Sequence, residues 1–142
     1  MALQLNLLVV DDDALVVDTL RHFIGTPWTF IGQSHYNKLN TTVHVAFVDL
    51  HLSGNIQKNE GLDVIKAISE HHPHAEIIAI SGDLSRDLME KTLKAGATRF
   101  LPKPLTPEEV TLTLNKLEAY FQLRFQNTNT SNSQSMIGPE YI

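Results

Sequence analysis

The chain has 142 residues, about one domain's length, and with 42% hydrophobic and 19% charged residues it can build a buried core. Zero cysteines exclude disulfides, thiolate catalysis, iron-sulfur ligation and cysteine-based zinc sites, so its chemistry must run on oxygen or nitrogen. A net charge of −5, with 16 acidic against 11 basic residues and no Lys/Arg cluster, argues against a nucleic-acid surface; the absence of a long apolar run and of a signal-peptide pattern leads us to expect a cytoplasmic location and no membrane partner.

Leu5-Asn6-Leu7-Leu8-Val9-Val10 is a nearly continuous apolar run that stops at Asp11-Asp12-Asp13, and it predicts a strand buried on both faces. Ala14, Val17, Leu20 and Ile24 then recur at helical spacing before Gly25 and Pro27. Residues 28–31 read as a second strand, with Trp28 as core or interface packing. Residues 33–42 are polar and too short for a well-marked helix. Residues 43–50 repeat the first pattern, with Asp49 near the C-terminal end of the strand, and a loop follows to Glu60. Gly61 opens a helix whose Leu62, Ile65 and Ile68 share a face, ending near His72-Pro73. His71, His72 and His74 read as a solvated helix terminus, where imidazolium complements the helix dipole, and not as a metal cluster.

Residues 76–80 predict a fourth strand, with Ser81-Gly82-Asp83 as its turn. Residues 85–95 are amphipathic through Leu88 and Leu93, stop at Gly96, and lead to a short fifth strand at 98–101. Thr106-Pro107-Glu108-Glu109 is a capping sequence for a last helix, and Val110, Leu114, Leu117 and Phe121 line its apolar face. From Gln126 to Ser135 every residue is Gln, Asn, Thr or Ser, which cannot offset the entropy of ordering by burial. The expected organisation is therefore a domain over 1–125 and a disordered polar tail or linker over 126–142.

Strands alternating with helices, each strand an apolar run, define an α/β fold with a doubly wound five-stranded parallel sheet. Ligands of such sheets sit beyond the carboxyl ends of the strands, where Asp11, Asp12, Asp49, Ser81 and Lys103 are placed. Carboxylates gathered there repel one another by about 4 kcal/mol per close pair at an effective dielectric near 20. A divalent cation removes that penalty, and an all-oxygen site suits Mg²⁺. Beside such an ion Asp49 can attack phosphorus, Lys103 can supply a point charge and Ser81 a hydroxyl hydrogen bond. No Gly-x-Gly-x-x-Gly or Walker-type sequence exists to hold a nucleotide.

Val9-Val10-Asp11-Asp12-Asp13, Val48-Asp49-Leu50, Ile80-Ser81-Gly82, Gly96-Ala97 and Phe100-Leu101-Pro102-Lys103-Pro104, in that order and at those strand ends, resemble the receiver domain of two-component response regulators over residues 5–123. The resemblance implies a flavodoxin-like strand order 2-1-3-4-5, with helix two reduced or missing in the polar stretch before residue 43. It implies that Asp49 is the phosphoacceptor and that Mg²⁺ is held by Asp12 directly, by Asp11 largely through water, by Asp49, and by the backbone carbonyl of His51. Ser81 and Lys103 take the positions of the phosphoryl-sensing hydroxyl and the charge-neutralising lysine, Lys103-Pro104 is expected to be cis, and Phe100 occupies the aromatic switch position. Such a domain catalyses its own phosphorylation without being a conventional enzyme. It signals through the face of helix four, strand five and helix five. Its partners would be a histidine kinase or histidine phosphotransfer protein and an output protein or C-terminal output domain, with a homodimer as a further arrangement.

The sequence departs from that pattern in places. The interval from Asp12 to Asp49 is short, and the loop from Asp49 to Gly61 is long, with Ser53 where a proline is common. His51 and Asp83 stand two residues beyond the acceptor and the hydroxyl residue, where they are expected to tune dephosphorylation. The rival readings are an aspartate-nucleophile phosphohydrolase of the haloacid-dehalogenase type and a degenerate receiver used only for binding. The first has a second Asp where His51 stands here.

Overall fold

The computed structural model describes residues 3–51 and 60–134, with side chains as far as Gln126. Its apolar runs form five strands, β1 (Leu5–Val10), β2 (Trp28–Gln33), β3 (Val45–Asp49), β4 (Glu76–Ser81) and β5 (Arg99–Pro102). Every pairing is parallel and the order is β2-β1-β3-β4-β5, the flavodoxin-like order. Leu7, Leu8, Val9 and Val10 of β1 and Val45 to Val48 of β3 are fully buried, as runs without polar alternation require of strands covered on both sides.

Helix α1 (Ala14–Phe23) is capped by Asp13, whose side chain accepts from the Leu15 backbone N–H. It covers one face of the sheet: Val17 and Leu20 are buried, and the Arg21 guanidinium lies 4.9 Å over the Phe30 ring of β2. Helices α2 (Glu60–His71) and α3 (Arg86–Ala95) cover the other face, where Ile65 and Ile68 join Leu8, Val10, Ala46, Val48, Ile77 and Ala79 in one core cluster. In α3 the buried residue is Thr92, with Leu88 and Ala95 packed against the core, while Leu93 is 52% exposed. The sequence reading chose Leu93 on hydrophobicity. Thr92 can take the inner position because its hydroxyl donates to the Leu88 carbonyl at 2.6 Å. Gly96 ends α3 at φ +125, a conformation that penalises any Cβ.

Between β2 and β3 the chain forms no helix, as the polar composition of that stretch implied. Instead residues 34–44 form a strap over the side of the core that carries α2. Gln33 fixes its start by bonding Asn37 in both directions, Nε2 to the carbonyl at 3.1 Å and Oε1 from the N–H at 2.9 Å. Tyr36 and Leu39 pack on the core cluster. The Tyr36 ring stacks on His71 at the end of α2 with a 2.7 Å bond between its hydroxyl and Nδ1. His72 follows with its Nε2 buried and no hydrogen-bond partner among the described residues, and burial holds its pKa below the ordinary value. His71 and His74 are exposed, as the solvated helix terminus read from sequence requires, and Tyr36 of the strap adds a stacking contact on His71. Trp28 is buried, and the Thr26-Pro27 and Lys103-Pro104 bonds are both cis.

From Thr106 onward the chain forms a second unit, helix α4 (Pro107–Gln134). Thr106 caps it, accepting from the Glu109 N–H and donating to the Glu109 carboxylate, each at 3.1 Å. Val110, Leu114, Leu117 and Phe121 are its buried residues. The helix runs as far as Gln134, into the polar stretch that begins at Gln126. The loop at 52–59, including Ser53, and residues 135–142 lie outside the described residues.

Candidate functional site

β1 and β3 are neighbours although β2 lies between them in sequence, so their carboxyl ends meet where the sheet changes its winding direction. Val10 pairs with Val48, which sets Asp11 and Asp49 side by side. Asp49 pairs with Ile80 and Ser81 with Pro102, which adds Ser81 and then Lys103 to the same rim. Gly61, at the start of α2, passes so close to the β3 exit that a Cβ there would lie 2.8 Å from the Asp49 carbonyl oxygen and nearer still to the Leu50 backbone.

Asp11, Asp12 and Asp49 each offer a carboxylate oxygen, and these atoms lie within 4.8 Å of one another. Asp11 is 2% exposed and Asp49 3%, whereas Asp12 faces solvent. The Asp11 N–H donates to the Gln33 carbonyl at 3.1 Å, and its Oδ1 accepts from the Asp13 N–H at 2.9 Å. Burial pushes its pKa up to about 6, with the Asp49 charge adding to the rise and the Asp13 hydrogen bond and Lys103 opposing it. The Lys103 ammonium lies 2.9 Å from Asp49 Oδ1, which also accepts the His51 N–H at 3.1 Å. The Lys103 N–H donates to the Ser81 carbonyl at 3.0 Å, which ties the lysine to the end of β4.

Ser81 is fully buried, and its hydroxyl is turned into the β4–α3 turn. It donates to the Asp83 carbonyl and accepts from the Asp83 N–H, both at 2.9 Å, with His51 Nε2 at 3.5 Å. The Asp83 carboxylate accepts from the Ser85 N–H at 2.9 Å, just ahead of α3. Phe100 is half-buried on β5 and packs against the core cluster. Asp11, Asp12, Asp49, His51, Ser81 and Lys103 thus lie at one rim, while Phe100 lies on β5 against the core cluster. Two participants went unread: the Gln33 carbonyl that fixes Asp11, and the Asp83 backbone that holds the Ser81 hydroxyl. Both act through main-chain groups, which carry no residue signature.

The donors fit a hard divalent cation: they are all carboxylate oxygens, two of them are buried, and the Asp11 pKa is raised mainly by that burial and further by the neighbouring Asp49 charge. A parallel α/β sheet with buried acids at its switch point and a lysine on one of them defines a class of acidic-pocket proteins of doubly wound architecture. The family model of the response regulator receiver domain matches residues 7–115. The chain belongs to that family, whose members are signalling domains of two-component systems and not conventional enzymes.

Among relatives, it is 39% identical to the chemotaxis protein CheY of Thermotoga maritima over 57 residues, which is 40% of this chain and 48% of that protein. It is 26% identical over 113 residues to a putative two-component response regulator, ARR21, of Arabidopsis thaliana, covering 77% of this chain and 18% of that one. The chain thus spans less than half the length of these curated relatives. Among solved structures, the signal receiver domain of an HD domain-containing protein from Pseudomonas fluorescens superimposes with a TM-score of 0.72 at 20% identity, covering 83% of this chain and 97% of that one. A response regulator from Burkholderia pseudomallei, whose crystal structure has a phosphorylated aspartic acid, a calcium ion and citrate, gives 0.67 at 23% identity, covering 85% of this chain and 75% of that one.

Proposed function

We propose that the chain is a phosphoacceptor of a two-component phosphorelay, in which Asp49 takes a phosphoryl group, with Mg²⁺, from a phosphohistidine on a histidine kinase or histidine phosphotransfer protein. The observation that supports this best is the Lys103 ammonium 2.9 Å from Asp49 Oδ1 beside two further acids. In the transfer an Asp49 carboxylate oxygen bonds to phosphorus, the phosphorus-nitrogen bond of the donor breaks, and its electron pair returns to the donor imidazole. Such a step needs positioning and positive charge more than covalent assistance. Lys103 neutralises charge on the phosphoryl oxygens. Asp11, Asp12, Asp49 and the His51 carbonyl are the groups that would hold the ion, which when bound places further positive charge against the same oxygens.

Signalling follows from the hydrogen bonds of Ser81. A phosphoryl group at Asp49 adds three strong acceptors, and the Ser81 hydroxyl exchanges its bonds to Asp83 for one of them. The space it leaves admits Phe100, so the surface of α3 and β5 changes shape and an output protein that prefers the changed surface shifts the population.

Incubation with acetyl phosphate and Mg²⁺ tests the reading. The expected result is one acid-stable, base-labile phosphoryl group per chain, mapped to Asp49 by mass spectrometry and absent from Asp49→Asn. Modification at another residue, or repeated turnover of phosphomonoesters, overturns it.

A further inference from the structure

β2 is an edge strand, so its exit at Gln33 has a neighbouring strand on one side only. That neighbour is β1, and there the Gln33 carbonyl accepts the Asp11 N–H at 3.1 Å. The Gln33 side chain clasps the main chain of Asn37 in the strap. Its Oε1 accepts the Asn37 N–H at 2.9 Å, and its Nε2 donates to the Asn37 carbonyl at 3.1 Å. Inside a helix both of those main-chain groups would be taken up by the helix's own bonds, so the clasp depends on the irregular path of the strap.

Asp11 is thereby fixed at both its main chain and its side chain. Its N–H is held by Gln33, and its Oδ1 accepts from the N–H of Asp13, which is itself anchored as the cap of α1. The carboxylate is buried, so the position of its main chain decides where its oxygens lie. That position matters to an ion. Mg²⁺ demands near-ideal octahedral geometry, whereas Ca²⁺ accepts longer bonds and a flexible arrangement, so a displaced carboxylate costs Mg²⁺ more than Ca²⁺.

We propose that Gln33 is a positioning residue: by clasping Asn37 it ties the strap to the main chain of Asp11 and so sets a carboxylate that holds Mg²⁺. The inference rests on the Mg²⁺ role given to Asp11 above and adds to it a residue that touches no ion. Its carbonyl acts through the Asp11 N–H, and its side chain keeps that carbonyl in place at a strand end that lacks a second neighbour. Coupling of this kind runs both ways. The clasp favours the ion, and the ion in turn tightens the clasp, so the strap senses whether the pocket is occupied.

Calorimetric titration of Gln33→Met with Mg²⁺ and with Ca²⁺ tests this, since methionine keeps the length of the side chain and makes neither bond. Mg²⁺ affinity is expected to fall about tenfold, the low end for groups that orient a metal ligand, and Ca²⁺ affinity by less. In the metal-free variant the Asp13 amide signal should move in NMR spectra, because its acceptor, Asp11 Oδ1, is released. Asn37→Ala keeps both bonds of the clasp, which go to main-chain atoms, and should bind both ions like the parent. In the parent itself, where no variant has to fold, Mg²⁺ should slow hydrogen exchange of the Asn37 amide several-fold. Unchanged Mg²⁺ affinity in Gln33→Met, equal losses for the two ions, or Asn37 exchange indifferent to Mg²⁺ overturns the proposal and leaves the acceptor role of Asp49 standing. A parent that binds no Mg²⁺ overturns the metal reading and this proposal together.

Discussion

Asp11 carries the electrostatic strain of the pocket. It is almost fully buried beside Asp49, and a pKa raised from 3.8 to about 6 means that the folded protein resists its ionisation. At about 1.4 kcal/mol per pKa unit the ionised side chain near pH 7 costs the metal-free fold roughly 1 to 3 kcal/mol. Asp11→Asn keeps an oxygen to accept the Asp13 N–H and removes the charge. It should raise the unfolding free energy of the metal-free protein, read from urea denaturation, by that amount, while added Mg²⁺ stabilises the parent and leaves the variant unmoved. A variant less stable than its parent would show that Asp11 is needed for folding and not for the ion. Ser81 poses a separate question, because its hydroxyl is already satisfied by the Asp83 backbone. Ser81→Ala should still accept a phosphoryl group on Asp49, yet the amide shifts that phosphorylation produces along α3 and β5 should shrink at least several-fold in NMR spectra. Full-sized shifts in the variant would remove Ser81 from the switch.

At the scale of elements, the acceptor depends on how closely α2 can approach the end of β3. Gly61→Ala places a methyl group against the Asp49 carbonyl and the Leu50 backbone, neither of which can swing aside. The helical preference for Ala, worth about 1 kcal/mol, is therefore expected to lose to the clash, with a net destabilisation of roughly 1 to 3 kcal/mol and slower phosphorylation of Asp49. Gly25→Ala, at a position with nothing within 4 Å, is the neutral comparison. Denaturation midpoints and phosphorylation rates of the two variants decide it. The strands were legible in the sequence because each is an apolar run with a carboxylate, hydroxyl or lysine at its exit, and parallel pairing then brings those exits together. The strap was not legible. Its anchors on the core are Tyr36 and Leu39, too few for a period, and the contact of Tyr36 with His71 joins residues 35 apart in sequence. Thr92 was missed for a related reason, since a hydrogen bond inside α3 decides its burial where hydrophobicity would select Leu93. Site identities could be read from residue types; the outward turn of the Ser81 hydroxyl could not, because the loop backbone sets it.

For the molecule as a whole, acid acts on stability with two opposite signs. His44 and His72 bind protons less readily folded than unfolded, so below about pH 6.5 the unfolded chain takes up more protons and stability falls. Asp11 does the reverse. Its folded pKa of about 6 lies above the unfolded 3.8, so between those values the folded protein holds the extra proton and stability rises as the pH drops. In the metal-free protein the two slopes oppose each other from near pH 6 downward, so the urea midpoint should fall less between about pH 7 and 5 than the histidines alone would make it. Saturating Mg²⁺ stabilises the form in which Asp11 is ionised and so removes the compensating slope. The same acidification should then lower the midpoint clearly, and the stabilisation by Mg²⁺ should itself shrink as the pH passes about 6, where Asp11 takes up its proton. Urea titrations across this range with and without Mg²⁺ measure both effects in one experiment. Parallel pH profiles in the two conditions would mean that the ion does not compete with the Asp11 proton, and would move the metal away from the pocket formed by Asp11, Asp12 and Asp49.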